Sequence, residues 1–307
     1  MITNFKELVQ RLQSAIPRRV IVAGIANEAA ISALVRARRE KFITPVVVDS
    51  REKIREHGGS ILDKGEYGII ECDPEPGAIA AAAVRGIRDD EGDLLMKGSI
   101  STGDLMHAVL DKENGIQKSE LLSDCFLFEE NSGEEHRLIT ITDGGVVLYP
   151  DVDQKQLILE NAVRVSHALG NREPRVAICA AIEKVNDRMP PTLDAAELTQ
   201  RYKEGRITGC IVDGPLALDG ALSPRALEIK GIDSPLGGRA DILVMPDIEA
   251  ANLVAKSTQY IAGREAAHVI MGAQVPILIP SRSDSARGKY LSLALAVAIQ
   301  SELQNES

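Results

Sequence analysis

With 307 residues the chain is long enough for roughly two domains, each able to bury its own core. Hydrophobic residues make up 44% and charged residues 26%, the balance of an ordinary globular protein rather than a fibrous or disordered one. A net charge of -10 argues against nucleic acid as a partner, because such binders need a clustered basic face, so any anionic ligand must be met by local Lys, Arg and helix N-termini.

The first residues, Met1-Ile-Thr-Asn-Phe-Lys-Glu-Leu8, alternate charged and apolar side chains and hold no signal-peptide core. No apolar run approaches the length of a membrane span, so we expect no membrane partner and a cytoplasmic location. Cys72, Cys125, Cys179 and Cys210 are isolated within or beside apolar runs, which fits buried free thiols in a reducing compartment. The histidines (His57, His107, His136, His167 and His268) are scattered without zinc-like spacing, and no metal site is expected.

In chain order, Phe5 to Ala15 reads as an amphipathic helix and Arg19 to Gly24 as a strand. Asn27 caps a helix reaching about Arg39, followed by the strand Pro45 to Asp49. The alternation continues with strand Gly68 to Cys72, helix Gly77 to Arg88, strand Leu94 to Met96 and a helix from Thr102, read as its cap, to about Leu110. Strands separated by helices predict a parallel sheet covered on both faces. Between Ser119 and Gly144 the pattern changes to a hairpin, Cys125 to Phe128 and Arg137 to Thr142, with a polar turn over Glu129 to Glu135. This hairpin opens a second domain.

Alternation then resumes: helix Gln154 to Leu169, strand Arg175 to Cys179, helix Leu193 to Lys203 and strand Gly209 to Asp213. A helix near Pro224 to Ile229, strand Asp241 to Met245 and helix Glu249 to Ala262 follow. The last unit is an apolar run, Pro276 to Pro280, an abrupt polar cluster from Ser281 to Lys289, and a Leu/Ala-rich helix over Tyr290 to Gln300.

That cluster lies between the carboxyl end of a strand and the N-terminus of a helix, where open α/β sheets place ligands. Ser281, Arg282 and Asp284 supply a hydroxyl, a fixed cation and a carboxylate within four positions. They equally suit a turn whose Ser or Asp caps the helix. Other polar groups also collect at strand ends: Lys97 with Ser99 and Thr102, Asp213, and Asp247 with Asn252 and Lys256. Each singly has a local explanation, as a turn, a cap or a solvated lysine, whereas their concentration at one sheet edge points to a cleft that binds something anionic.

Several segments carry a more specific signature. Leu95-Met-Lys-Gly-Ser-Ile-Ser-Thr102 with Ala108 to Gly115, Glu183-Lys-Val185 with Met189-Pro-Pro-Thr-Leu-Asp-Ala195, and Val212-Asp-Gly-Pro-Leu-Ala-Leu-Asp219 occur in order. Lys230-Gly-Ile232, Pro246-Asp-Ile-Glu-Ala-Ala-Asn252 with Lys256, and Gly272-Ala-Gln-Val-Pro276 with Ser281-Arg-Ser-Asp284 follow. Together they closely resemble the phosphate acetyltransferase/phosphate butyryltransferase family from about Leu94 onward.

The resemblance implies two α/β/α domains with mostly parallel sheets, in the isocitrate/isopropylmalate-dehydrogenase-like class, with the active cleft between them. Residues 1–120 and 268–307 would form the first domain and 121–267 the second. It implies reversible transfer of a short-chain acyl group (butyryl, propionyl or acetyl), acyl-CoA plus phosphate to acyl phosphate plus coenzyme A. Coenzyme A is then a substrate and no cofactor is needed; the chain would form a homodimer. Ser281 and Arg282 match the family's phosphate- and oxyanion-holding pair; the acetyl branch carries its thiol base several residues later, so here either Asp284 takes that role, as in the butyryl-like pattern Ser-Arg-x-Asp, or another group serves. Lys97, Ser99, Thr102, Asp213, Asp247, Asn252 and Lys256 would bind substrate.

Departures from the pattern are Ala251 for a Gly before Asn252, Tyr260 after Gln259 where the acetyl branch tends to carry Arg, and Pro280 for a Thr before Ser281. The Tyr260 departure favours the butyryl-like branch. A sensor that binds acyl phosphate or coenzyme A without turnover, and a metal- and nicotinamide-dependent decarboxylating dehydrogenase, are the alternatives. The second needs a carboxylate cluster that the sequence does not show.

Overall fold

The computed structural model describes residues 1–25, 27–57, 67–130 and 136–305. The chain forms two compact units, one of Phe5–Glu120 with Ala267–Ser307 and the other of Met1–Asn4 with Leu121–Ala266. Residues 1–4, expected with the rest of 1–120 in the first domain, group with the second unit, where the Ile2 N–H donates to Leu169 O at 2.8 Å.

The first unit contains α1 (Phe5–Leu12), β1 (Arg18–Ala23), α2 (Glu28–Arg39), β2 (Ile43–Asp49), α3 (Arg51–His57) and β3 (Gly68–Glu71). It continues through α4 (Pro76–Arg88), β4 (Leu94–Lys97) and α5 (Thr102–Val109). It is completed by β10 (Ala266–Met271), β11 (Ile277–Leu278) and α11 (Ala286–Asn305). Its strands run in the order β3-β2-β1-β4-β11-β10. All neighbours are parallel except β10 with β11. Successive strand residues face opposite sides of a sheet, and Val20 to Ala23 are all 0% exposed, so both faces of β1 are covered. Helix α2 packs on α11 and α11 on α1, while α4 packs on α5 and across β1 to β4.

The second unit contains β5 (Ser123–Glu130), β6 (Arg137–Thr142), α6 (Val152–Ala168), β7 (Arg175–Cys179), α7 (Pro190–Lys203) and β8 (Ile211–Leu216). The short helices α8 (Leu218–Leu222) and α9 (Pro224–Lys230), then β9 (Ile242–Val244) and α10 (Ile248–Tyr260), complete it. The strand order is β5-β6-β9-β7-β8, antiparallel only at the β5/β6 hairpin. Most of the turn expected between these two strands lies outside the described residues. Central β9 is again buried on both faces, with Ile242, Leu243 and Val244 at most 1% exposed.

Local chemistry explains the helix starts. The Asn27 side chain accepts from Ala30 N at 3.0 Å at the head of α2. Asp151 and Gln154 form a reciprocal capping box on α6. At α5 the cap is Ser101, whose Oγ accepts from Asp104 N at 3.0 Å, and not Thr102, which is the first helical residue. Pattern reading also passed over α3, α8 and β10. Ala266–Met271 has no polar/apolar alternation, and as a strand it is defined by its pairing with β11.

Where β1 and β4 end, two glycines meet. A Cβ on Gly98 would stand 1.8 Å from Gly24 O, and Gly24 has φ +83°, a left-handed conformation open to glycine. This contact lets Lys97 and Ser99 leave the sheet beside the end of β1, with Lys97 in register with Ala23.

Candidate active site

The polar cluster after β11 is built as a closed turn. The Asp284 N–H donates to Ser281 O at 3.2 Å, and the Ser281 N–H donates to Asp284 Oδ2 at 2.7 Å. Ser281 Oγ and Ser283 Oγ are 3.0 Å apart. The helix is capped separately: Ser285 Oγ accepts from Gly288 N at 3.0 Å. Capping therefore falls to Ser285, and the segment from Ser281 to Asp284 projects as a turn of its own.

Two residues that sequence reading left without a role hold this turn. His268, on β10, brings Nε2 to 3.4 Å from Asp284 Oδ2. Lys289, on α11 and only 2% exposed, donates from Nζ to Ser281 O at 2.8 Å and to Asp284 O at 2.7 Å. Burial by itself would raise the Asp284 carboxyl. Contact with His268, the Ser281 amide and the charge on Lys289 outweigh it, so the group is held below the usual carboxylate range.

Arg282 is exposed at the tip of the turn and has no hydrogen-bond or ion-pair partner among the described residues. Its charge reaches Lys97 at the end of β4, and β4 is the parallel neighbour of β11. Lys97 is partly buried, with Nζ 3.4 Å from both Gly98 O and Ile100 O. Burial first, and Arg282 second, push its ammonium below the ordinary lysine value. The strand ends thus assemble two cations whose mutual repulsion an anion would relieve. Ser99 and Thr102 are exposed nearby in the chain, Thr102 in the first turn of α5.

The remaining residues singled out from the sequence lie in the second unit. Asp213 sits inside β8 rather than after it, and its Oδ2 accepts from Ser234 Oγ at 2.5 Å. The strand, expected to end at Asp213, continues through Gly214 and Pro215 to Leu216. Asp247 is the N-cap of α10, accepting from Ala250 N at 2.8 Å. Asn252 and Lys256 follow four residues apart on that helix. Asn252 Nδ2 donates to Gly144 O at 3.0 Å, and Lys256 Nζ lies 6.0 Å from the centre of the Tyr260 ring.

Three motif segments are tied by one lysine in the same unit. Lys230 Nζ donates to Glu183 Oε1 at 2.6 Å and to Asp219 Oδ1 at 2.7 Å. Among the described residues, no group of three or more His, Cys, Asp or Glu side chains is arranged to hold a metal ion. No helix is long and apolar enough to cross a membrane, among the same residues.

Comparison with known proteins agrees with this architecture. Residues 77–297 match the family model described as Phosphate acetyl/butaryl transferase. The chain is 38% identical over 298 residues to a phosphate acetyltransferase of Rhizobium meliloti, covering 96% of this chain and 92% of the relative. It is 35% identical over 300 residues to a phosphate butyryltransferase of Clostridium beijerinckii, covering 97% and 98%. Among solved structures, a branched-chain phosphotransacylase from Enterococcus faecalis V583 superimposes with a TM-score of 0.80 at 28% identity, over 92% of this chain and 99% of that one.

The fold is mostly parallel α/β, and the relatives place the chain among the transferases. The chain belongs to the phosphate acetyl/butyryl transferase family.

Proposed function

We propose that the chain transfers a short acyl group reversibly between coenzyme A and inorganic phosphate, with phosphate seated on Arg282, Ser281 and Lys97. The observation that carries this reading is the exposed Arg282 guanidinium, without a hydrogen-bond or ion-pair partner among the described residues, in the turn after β11, whose parallel neighbour β4 ends in Lys97. Arginine's planar fork grips two phosphate oxygens at once, and lysine adds a point charge. With both substrates bound, a phosphate oxygen attacks the thioester carbonyl. The tetrahedral oxyanion collapses, the C–S bond breaks, and coenzyme A leaves as thiolate. Orientation and charge stabilisation supply the acceleration, and no acyl-enzyme forms.

In the opposite direction the thiol, with a pKa near 8.5, must lose a proton before it attacks acyl phosphate. Asp284 assists that step. A carboxylate held below its ordinary range is a weak acceptor alone, and it lies against an imidazole, the side chain suited to proton transfer near neutral pH. Coenzyme A enters as a substrate, and the reaction needs no further cofactor. Ser99 and Thr102 in the first unit, and Asp213, Asp247, Asn252 and Lys256 in the second, are proposed to contact substrate.

The same reading carries the finer features of the family: an isocitrate/isopropylmalate-dehydrogenase-like arrangement with the substrates in an interdomain cleft, a homodimer and a cytoplasmic enzyme. It also favours the butyryl-like branch, on the strength of Asp284 in Ser-Arg-x-Asp and of Tyr260. Relative rates with acetyl, propionyl and butyryl phosphate would decide the acyl group.

The test is Arg282→Ala. Turnover of acyl phosphate and coenzyme A to acyl-CoA should fall at least ~100-fold, the loss typical of removing a main oxyanion donor. Activity within a few-fold of the parent would place the phosphate elsewhere.

A further inference from the structure

Lys289 is among the largest fully enclosed side chains of the chain, yet it carries a charge. Taking an ammonium out of water is costly unless its donors are satisfied. Here two of them are spent on main-chain oxygens, Ser281 O at 2.8 Å and Asp284 O at 2.7 Å. These carbonyls belong to the first and last residues of the turn whose second residue is Arg282. The turn's own closure includes one main-chain bond, the Asp284 carboxylate on the Ser281 amide and the contact between the Ser281 and Ser283 hydroxyls. Without Lys289 both carbonyls would lose a charged donor, and a short four-residue turn on the surface would have fewer constraints on its direction.

The helix side of the clamp is firm. The Lys289 amide bonds to Ser285 O at 3.1 Å, and the next residue, Tyr290, is 0% exposed with its ring edge-on to Phe42 at 5.7 Å. The ammonium is therefore anchored to the packed body of α11 at one end and to the turn at the other. The charged groups around it are Asp284 and Lys97.

We propose that Lys289 is a positioning residue for acyl transfer: by clamping both ends of the turn from Ser281 to Asp284 it fixes the direction in which Arg282 is presented beside Lys97, without itself touching phosphate. This inference rests on the proposed role of Arg282, and the two can fail separately.

The test is a double-mutant cycle on kcat and KM with Lys289→Met and Arg282→Ala. Methionine is close in length and apolar, so it suits the enclosed site while removing all donors. Lys289→Met alone should lower kcat at least ~30-fold, in line with the effect of a misplaced catalytic group, and leave KM for coenzyme A within about 3-fold. Added to Arg282→Ala it should change kcat by less than about 3-fold, because the group it positions is already gone. A role in stability alone would leave the two effects independent, so they would multiply.

If Arg282→Ala keeps near-parent activity, the functional reading fails. If Arg282→Ala is impaired while Lys289→Met matches the parent, or the two effects multiply, that reading stands and the positioning role is overturned. Should Lys289→Met not fold, a crystal structure of the parent chain with inorganic phosphate decides. Nζ on both carbonyls with Arg282 on the phosphate supports the proposal, whereas Nζ on the phosphate, or away from the carbonyls, overturns it.

Discussion

Lys97 and Arg282 repel each other in the unliganded chain, and Lys97 titrates below the ordinary lysine value because it is partly buried and faces that guanidinium. Binding a phosphate dianion reverses the balance, favouring the charged ammonium and raising its pKa. By linkage, phosphate binding takes up a proton wherever Lys97 is partly neutral in the free protein. The uptake should therefore grow as pH rises above about 8, where free phosphate is already the dianion, toward the ordinary lysine value near 10.4. Calorimetry in buffers of different ionisation enthalpy measures it directly. A proton count that stays at zero across that range would remove Lys97 from the phosphate site.

The proposed phosphate-holding pair Ser281-Arg282 could be read from sequence because its chemistry is carried by two adjacent side chains. The parts played by His268 and Lys289 could not. Lys289 acts through main-chain oxygens five and eight residues back, and His268 meets Asp284 across a strand that pattern does not reveal.

At the scale of elements, the site depends on how closely β1 and β4 approach where they end. Gly98 is the narrow point, since any Cβ there would collide with Gly24 O. A backbone oxygen cannot swing aside like a side-chain tip, so relief requires the strand ends to part. Gly98→Ala is expected to destabilise the chain by about 1–3 kcal/mol or more, the usual range for overpacking. Urea denaturation of parent and variant gives the difference, and coincident midpoints would show that the strand ends spread at little energetic expense. The elements themselves follow from local chemistry to a large degree: Asn27, Ser101, Asp151 and Asp247 each cap the helix that starts after them. Boundaries were harder to read where packing sets them, as at β8, which runs on to Leu216.

For the molecule as a whole, the acyl transfer proposed above uses neither a divalent ion nor a nicotinamide. Catalysis by the intact chain should persist at an unchanged rate after exhaustive dialysis against EDTA, and without added NAD, in an assay following acyl-CoA formation. A rate that collapses on chelation and returns with a divalent ion would favour the dehydrogenase chemistry seen on related α/β folds.

The amino-acid sequence determined the β-α alternation, the antiparallel hairpin and the Ser281-Arg282 signature, because periodicity, capping residues and adjacent side chains are properties of short stretches. Only the tertiary structure decided that β4, ending in Lys97, runs beside β11 and that Lys289 and His268 hold the turn that follows it. Those contacts join strands far apart in the chain, and a buried charge acquires its role from the carbonyls that folding places around it.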